Sequence, residues 1–141
     1  MSVALAGQTK RIKAWTLLLG RILIAGIFLW DGAAMARAPG LAADYMGAFG
    51  IPIFLLPAVI LLQLGGGLLV VAGWQTRFVA LAFAGYTVLT ALIFHTDFAN
   101  ANELIQFGKD LAICGGFLLL AAGGPGALSI DEARIASRNR K

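Results

Sequence analysis

The sequence predicts an all-α integral membrane protein, a four-helix bundle with a short interfacial helix in the first outer loop. Three observations carry that prediction. Of the 141 residues, 60% are hydrophobic and only 13% are charged, and the mean hydropathy is +0.85, whereas soluble domains carry about a quarter charged residues. The apolar residues gather into four stretches, each long enough at about 1.5 Å per residue to cross roughly 30 Å of hydrocarbon as a helix. Between them stand turn signals: Pro39-Gly40, Gly50-Ile51-Pro52, Gln75-Thr76-Arg77 and the polar run TDFANAN. No hydrophilic block is large enough to fold separately, so residues 1–141 read as one membrane domain without a soluble catalytic part.

The first span is residues 15–35, WTLLLGRILIAGIFLWDGAAM, behind a basic tail of residues 1–14 holding Lys10, Arg11 and Lys13. Its Ala34-Met35-Ala36 end has the form of a signal-peptide cleavage site. The run is too long for a signal core, is interrupted by charge and is followed by three more spans, so it reads as uncleaved. In the loop after it, Leu41, Tyr45, Ala48 and Phe49 recur at helical spacing beside Asp44. They predict a short amphipathic helix on the membrane surface, a seal for the bundle end or a lid over it.

The second span covers residues 53–74, with Pro57 tolerated in its first turns and Gln63 near mid-depth. Its Gly65-Gly66-Gly67 run would let a neighbouring helix approach closely. The third span, residues 78–95, follows a tight turn and carries the small pair Ala80 and Ala84. The fourth, residues 103–122, has Asn102 as its expected N-cap and is ended by Gly123-Gly124-Pro125-Gly126. Residues 127–141 are expected as a polar tail with a basic end. LGGGLLVVAG in the second span and CGGFLLLAAG in the fourth echo each other faintly. Paired helical hairpins would produce this, and so would any low-complexity apolar sequence.

Charge placement predicts orientation. Lys10, Arg11, Lys13, Arg77, Arg134, Arg138, Arg140 and Lys141 fall on one side and chiefly Arg37 on the other, so both termini are expected in the cytoplasm. The net charge of +4 thereby serves topology rather than nucleic acid.

Arg21 and Asp31 lie inside the first span, each costing about 3 kcal/mol near the bilayer centre, and each needs a partner. Ten residues separate them, about 15 Å along a helix, so they cannot pair with each other. By depth, Asp31 falls within reach of Lys109 if the first and fourth helices are neighbours. Arg21 can snorkel inward or reach Gln63. Asp31, His95, Lys109 and Asp110 are thus expected around a polar pocket in the outer half, with Gln63 below and Trp30 and Phe94 beside it. A structural ion pair and a functional site explain this set equally well. With one histidine, no helical His-x-x-x-His or Glu-x-x-His spacing and a single cysteine, Cys114, no metal, haem or disulfide site of the chain's own is expected.

At these residues the chain resembles the DoxX family of small bacterial and archaeal membrane proteins. The resemblance runs through GRILIAGIFLWDGAAM, PGLAADYMGAFGIP, LLQLGGGLLVVAGWQTR, FHTDF and FGKDLAICGGFLLLAAGGPGALSID, about residues 17–131. It implies a four-helix bundle in the cytoplasmic (inner) membrane, described as an oxidoreductase, with some relatives linked to quinone-dependent oxidation of sulfur compounds. Relatives commonly carry Glu where this chain has Gln63.

The implied function is a quinone-linked redox subunit, with His95 and Lys109 bonding the quinone and Asp31 or Asp110 relaying protons. Trp30 and Phe94 would flank the ring, Gln63 would lie beneath, and a soluble or membrane partner would bring the electrons. The alternative is a non-catalytic membrane anchor or assembly factor for a soluble redox or stress-response enzyme. Homo-oligomers are left open by the sequence.

Overall fold

A computed structural model describes residues 2–139, with side chains from residue 5 onward. Arg140 and Lys141, counted above for orientation, lie outside the described residues. The chain is helical throughout: α1 (Ser2–Arg37), α2 (Pro39–Ala48), α3 (Ile53–Ala72), α4 (Thr76–Phe94), α5 (Ala101–Gly123) and α6 (Ile130–Arg138). Four of these, α1, α3, α4 and α5, are long and apolar enough to cross a membrane.

Several boundaries differ from the sequence reading. The expected tail of residues 1–14 continues α1, because nothing between Ser2 and Trp15 breaks a helix; at about 1.5 Å per residue, α1 outruns the hydrocarbon thickness. α2 is apolar nearly all round rather than amphipathic, Asp44 being its one charge. α5 is capped by Asn100, whose side chain accepts from the Asn102 N–H, so the helix starts earlier than Asn102 would have begun it. The polar tail folds into α6, opened by Ser129, whose hydroxyl accepts from the Glu132 N–H.

The spans pair as two hairpins, α1 along α3 and α4 along α5, with only slight contact between α1 and α5. Small residues set the approach distances. A Cβ on Gly67 would come within 2.7 Å of Leu29, and one on Gly66 within 2.9 Å of the Phe83 ring, so the glycine run does allow the close packing expected of it. Ala80 and Ala84 are buried in the same seam. Phe83 stacks on Phe117 at 4.9 Å between centroids, and Phe28 lies 4.6 Å from Phe83, so three aromatic rings join the two hairpins at mid-height.

At the end of the bundle that holds the termini, a second polar cluster fastens the C-terminal segment. Arg21 is 1% exposed. It neither snorkels nor reaches Gln63: its guanidinium donates to the carbonyls of Val70 and Val71 at the end of α3 and to that of Leu128. α3 ends at Gly73 in the left-handed conformation (φ 69°), where a Cβ would strike Arg21. The carbonyls that a helix end leaves unpaired are thus served by a buried cation.

α4 begins after Gln75 (φ 52°) without a side-chain cap of its own. Asp131 supplies one from α6, accepting from the Gln75 N–H (2.9 Å), the Thr76 N–H (3.0 Å) and the Thr76 hydroxyl (2.9 Å). The Asp131 N–H in turn donates to the Gly73 carbonyl. Burial pushes the Asp131 carboxyl upward, but the bonds from Thr76 and Gln75, with Arg134 nearby, outweigh it together and hold the group below its ordinary value.

Candidate functional site

The opposite half of the bundle contains a cleft between the two hairpins. On the first hairpin, α3 is not a plain α-helix: residues Leu62–Gly66 form a π-helical segment at the start of the glycine run. Such segments add a residue to the turn and re-aim side chains, and they are frequent at working sites. Here the segment carries Gln63, which is 1% exposed. Its Nε2 donates to Asp31 Oδ2 at 2.9 Å and to the Tyr86 hydroxyl oxygen at 2.7 Å, tying α1, α3 and α4 together. Its Oε1 is buried without a hydrogen-bond partner among the described residues. Gly32 makes the arrangement possible, since a Cβ there would lie 2.9 Å from that of Gln63.

The second hairpin contributes a charged arm. His95 follows the last residue of α4, and its Nδ1 lies 2.7 Å from Glu103 Oε2 in the first turn of α5. A carboxylate can only accept, so Nδ1 carries a proton toward Glu103 and Nε2 is left to face the cavity. Nε2 lies 4.0 Å from Asp110 Oδ2. Glu103 and Asp110 are two turns apart on one face of α5 and so approach the imidazole from either side. Glu103 also sits where the positive end of the helix dipole favours an anion.

The two arms border a cavity of about 590 Å³ whose walls are otherwise apolar, among them Ile27, Phe28, Met46, Val59 and Ile93. α2 covers the end of the cavity away from the chain termini. The Tyr45 ring stacks on Phe94 at 5.3 Å and 22°, Phe49 meets the same ring edge-on at 4.9 Å, and Met46 is buried beneath. Another hollow, of about 740 Å³, runs along residues 7–16 of α1 alone. With no second element to close it, it holds no convergent groups.

Of the residues singled out from sequence, Trp30, Asp31, Gln63, Phe94, His95 and Asp110 all line the cavity. Trp30 does so from its rim, 74% exposed, rather than enclosed against a ring. Lys109 does not line it. Its ammonium donates at 2.8 Å to the side-chain oxygen of Gln106, itself a lining residue, and the expected Asp31–Lys109 pair is not formed. Two causes act together: α1 and α5 scarcely touch, and successive residues of a helix point about 100° apart, so turning Asp110 inward turns Lys109 away.

Among the polar contributors not singled out are Tyr86, Thr90, Gln106 and Glu103. Tyr86 and Thr90 are one helical turn apart on α4, a spacing that marks a polar face in an otherwise apolar span. Glu103 stands seven residues before Asp110 and could have been found the same way.

Comparison with known proteins agrees with the fold. The family described as DoxX matches residues 16–96. Inner membrane protein YqjF of Escherichia coli (strain K12) is 46% identical over 123 residues, 87% of this chain and 95% of that protein. Inner membrane protein YphA of the same organism is 37% identical over 123 residues, 82% of this chain and 88% of that protein. No solved structure matches.

Proposed function

The chain belongs to the DoxX family, and from that premise we propose that it works in the inner membrane as a quinone-binding redox subunit, its site the cavity between the hairpins. The location follows its relatives, both named as inner membrane proteins, and the charge asymmetry supports cytoplasmic termini. One observation carries the site assignment: a mostly apolar cavity of about 590 Å³, within the usual ligand-pocket range, on which an imidazole–carboxylate pair and an Asp–Gln–Tyr cluster converge.

The residues fit such a group. Apolar walls suit a ring delivered from the lipid, and the Tyr86 hydroxyl, whose oxygen accepts from Gln63 and whose proton is left free, can donate to a quinone carbonyl. A quinone supplies two-electron, two-proton chemistry, and a partner must bring the electrons because the chain has no electron-carrying motif.

The protein's own part is to bind and to manage protons. His95, fixed by Glu103, faces Asp110 and the cavity, where an imidazole can pass a proton near neutral pH. Gln63 fixes Asp31 and Tyr86 in the cavity wall. Lys109 does not line the cavity and holds Gln106, which does. α2 shields the site from the aqueous side.

Binding of a short-chain quinone analogue to purified protein tests this. Wild type should bind saturably, and His95→Ala, folded by circular dichroism, should bind at least tenfold more weakly. Absence of saturable binding, or unchanged affinity in the folded variant, would leave the chain as an anchor or assembly factor.

A further inference from the structure

Resting on the quinone reading above, we infer that the cavity holds the reduced hydroquinone, whose ring oxygens bear protons, more tightly than the oxidised quinone. The balance of donors and acceptors carries this. Asp31 accepts one hydrogen bond, on Oδ2, from Gln63. Gln63 lines the cavity with its Oε1 unpaired, and a buried acceptor left unmade is costly. Asp110 has the Thr90 hydroxyl at 3.4 Å, but that hydroxyl has one proton and lies closer, at 2.9 Å, to the Thr87 carbonyl. Lys109, the cation that would have balanced these groups, does not line the cavity and donates to Gln106 at 2.8 Å.

The orientation of the Gln63 amide is set by Asp31, because a carboxylate can only accept, so Nε2 must face it. Tyr86, 2.7 Å from the same nitrogen, then accepts and keeps its own proton free. At the Gln63 cluster the cavity therefore offers acceptors in want of a donor on Asp31 and Gln63 against one free phenolic donor on Tyr86, and Asp110 adds a further acceptor beside His95. A hydroquinone hydroxyl does both jobs: it donates to Asp31 or Gln63 Oε1 in a bond strengthened by any charge on the acceptor, and accepts from Tyr86. A quinone carbonyl can only accept. At this cluster it uses Tyr86 alone and sets its lone pairs against those of the Asp31 carboxylate.

Tighter binding of the reduced form raises the potential of the bound couple by about 30 mV per tenfold preference for two electrons. That would help a partner donor to reduce it.

The test uses the full chain in detergent without oxygen, titrated with a short-chain benzoquinone, its hydroquinone and the dimethyl ether of that hydroquinone, and read by calorimetry. The hydroquinone should bind at least tenfold more tightly than the quinone. The ether, which has the same ring but no O–H, should bind no more tightly than the quinone. Asp31→Asn places an amide donor where an acceptor stood and should bring the ratio towards one; the comparison of three ligands on wild type stands even if this variant fails to fold. Equal or tighter binding of the quinone, or an ether that matches the hydroquinone, would overturn the inference while leaving the quinone site in place. Binding of none of the three would remove both.

Discussion

Replacing Asp131 by Ala should destabilise the whole bundle, although the residue lies beyond the last membrane span. The carboxylate accepts three hydrogen bonds of 2.9–3.0 Å from Gln75 and Thr76 at the start of α4. Thr76 is 0% exposed, so truncation leaves its N–H and hydroxyl without water to replace the lost acceptor. An abandoned buried donor costs about 1–3 kcal/mol, and loss of a helix cap about 1 kcal/mol. Because these describe overlapping losses, Asp131→Ala should cost about 2–4 kcal/mol in all. Asp131→Asn, which keeps one acceptor oxygen, should cost about half as much.

Unfolding by a denaturing detergent in mixed micelles, followed by circular dichroism, gives the free energies. The pH dependence supplies a second readout. Since folding lowers the carboxyl's pKa, its contribution is complete above the ordinary aspartate value of about 4. It is lost as the pH falls through the depressed value. Wild type should lose that increment on acidification, and Asp131→Ala should not. A variant within about 0.5 kcal/mol of wild type, or one with the same acid profile, would refute the capping role.

Gly32→Ala should be disruptive out of proportion to one methyl, costing about 1–3 kcal/mol by overpacking, because the added Cβ meets Gln63 Cβ at 2.9 Å; thermal melts in detergent measure it. Lys109→Met should leave stability within about 0.5 kcal/mol, and its effect should add to that of Asp31→Asn in a double-mutant cycle, since the two groups do not meet. A coupling above about 0.5 kcal/mol would contradict the observed packing. Reporter fusions after Asp97 and after Lys141 should report opposite compartments, the second cytoplasmic; a C-terminus outside would reverse the orientation read from the charges.

The sequence by itself determined the number of spans and pointed to several of the polar residues that line the cavity. Hydropathy over 18 or more residues is a local property, and four separate runs have it. Asp31, Gln63, His95 and Asp110 were legible because polar groups in apolar spans are expensive and must converge on something. Which groups converge was not legible, since depth along a helix follows from counting residues, whereas the facing direction depends on which helices are neighbours. Asp31 and Lys109 match in depth, yet the hairpins pair α1 with α3 and α4 with α5, so Asp31 meets Gln63 and Lys109 faces outward. The π-helical turn at Leu62–Gly66 shifts the register locally and cannot be counted from the sequence. Arg21 and Asp131 show the same limit over a longer range. Their partners are main-chain groups at the end of α3 and the start of α4, and main-chain groups look alike at every position until the fold brings particular ones within reach.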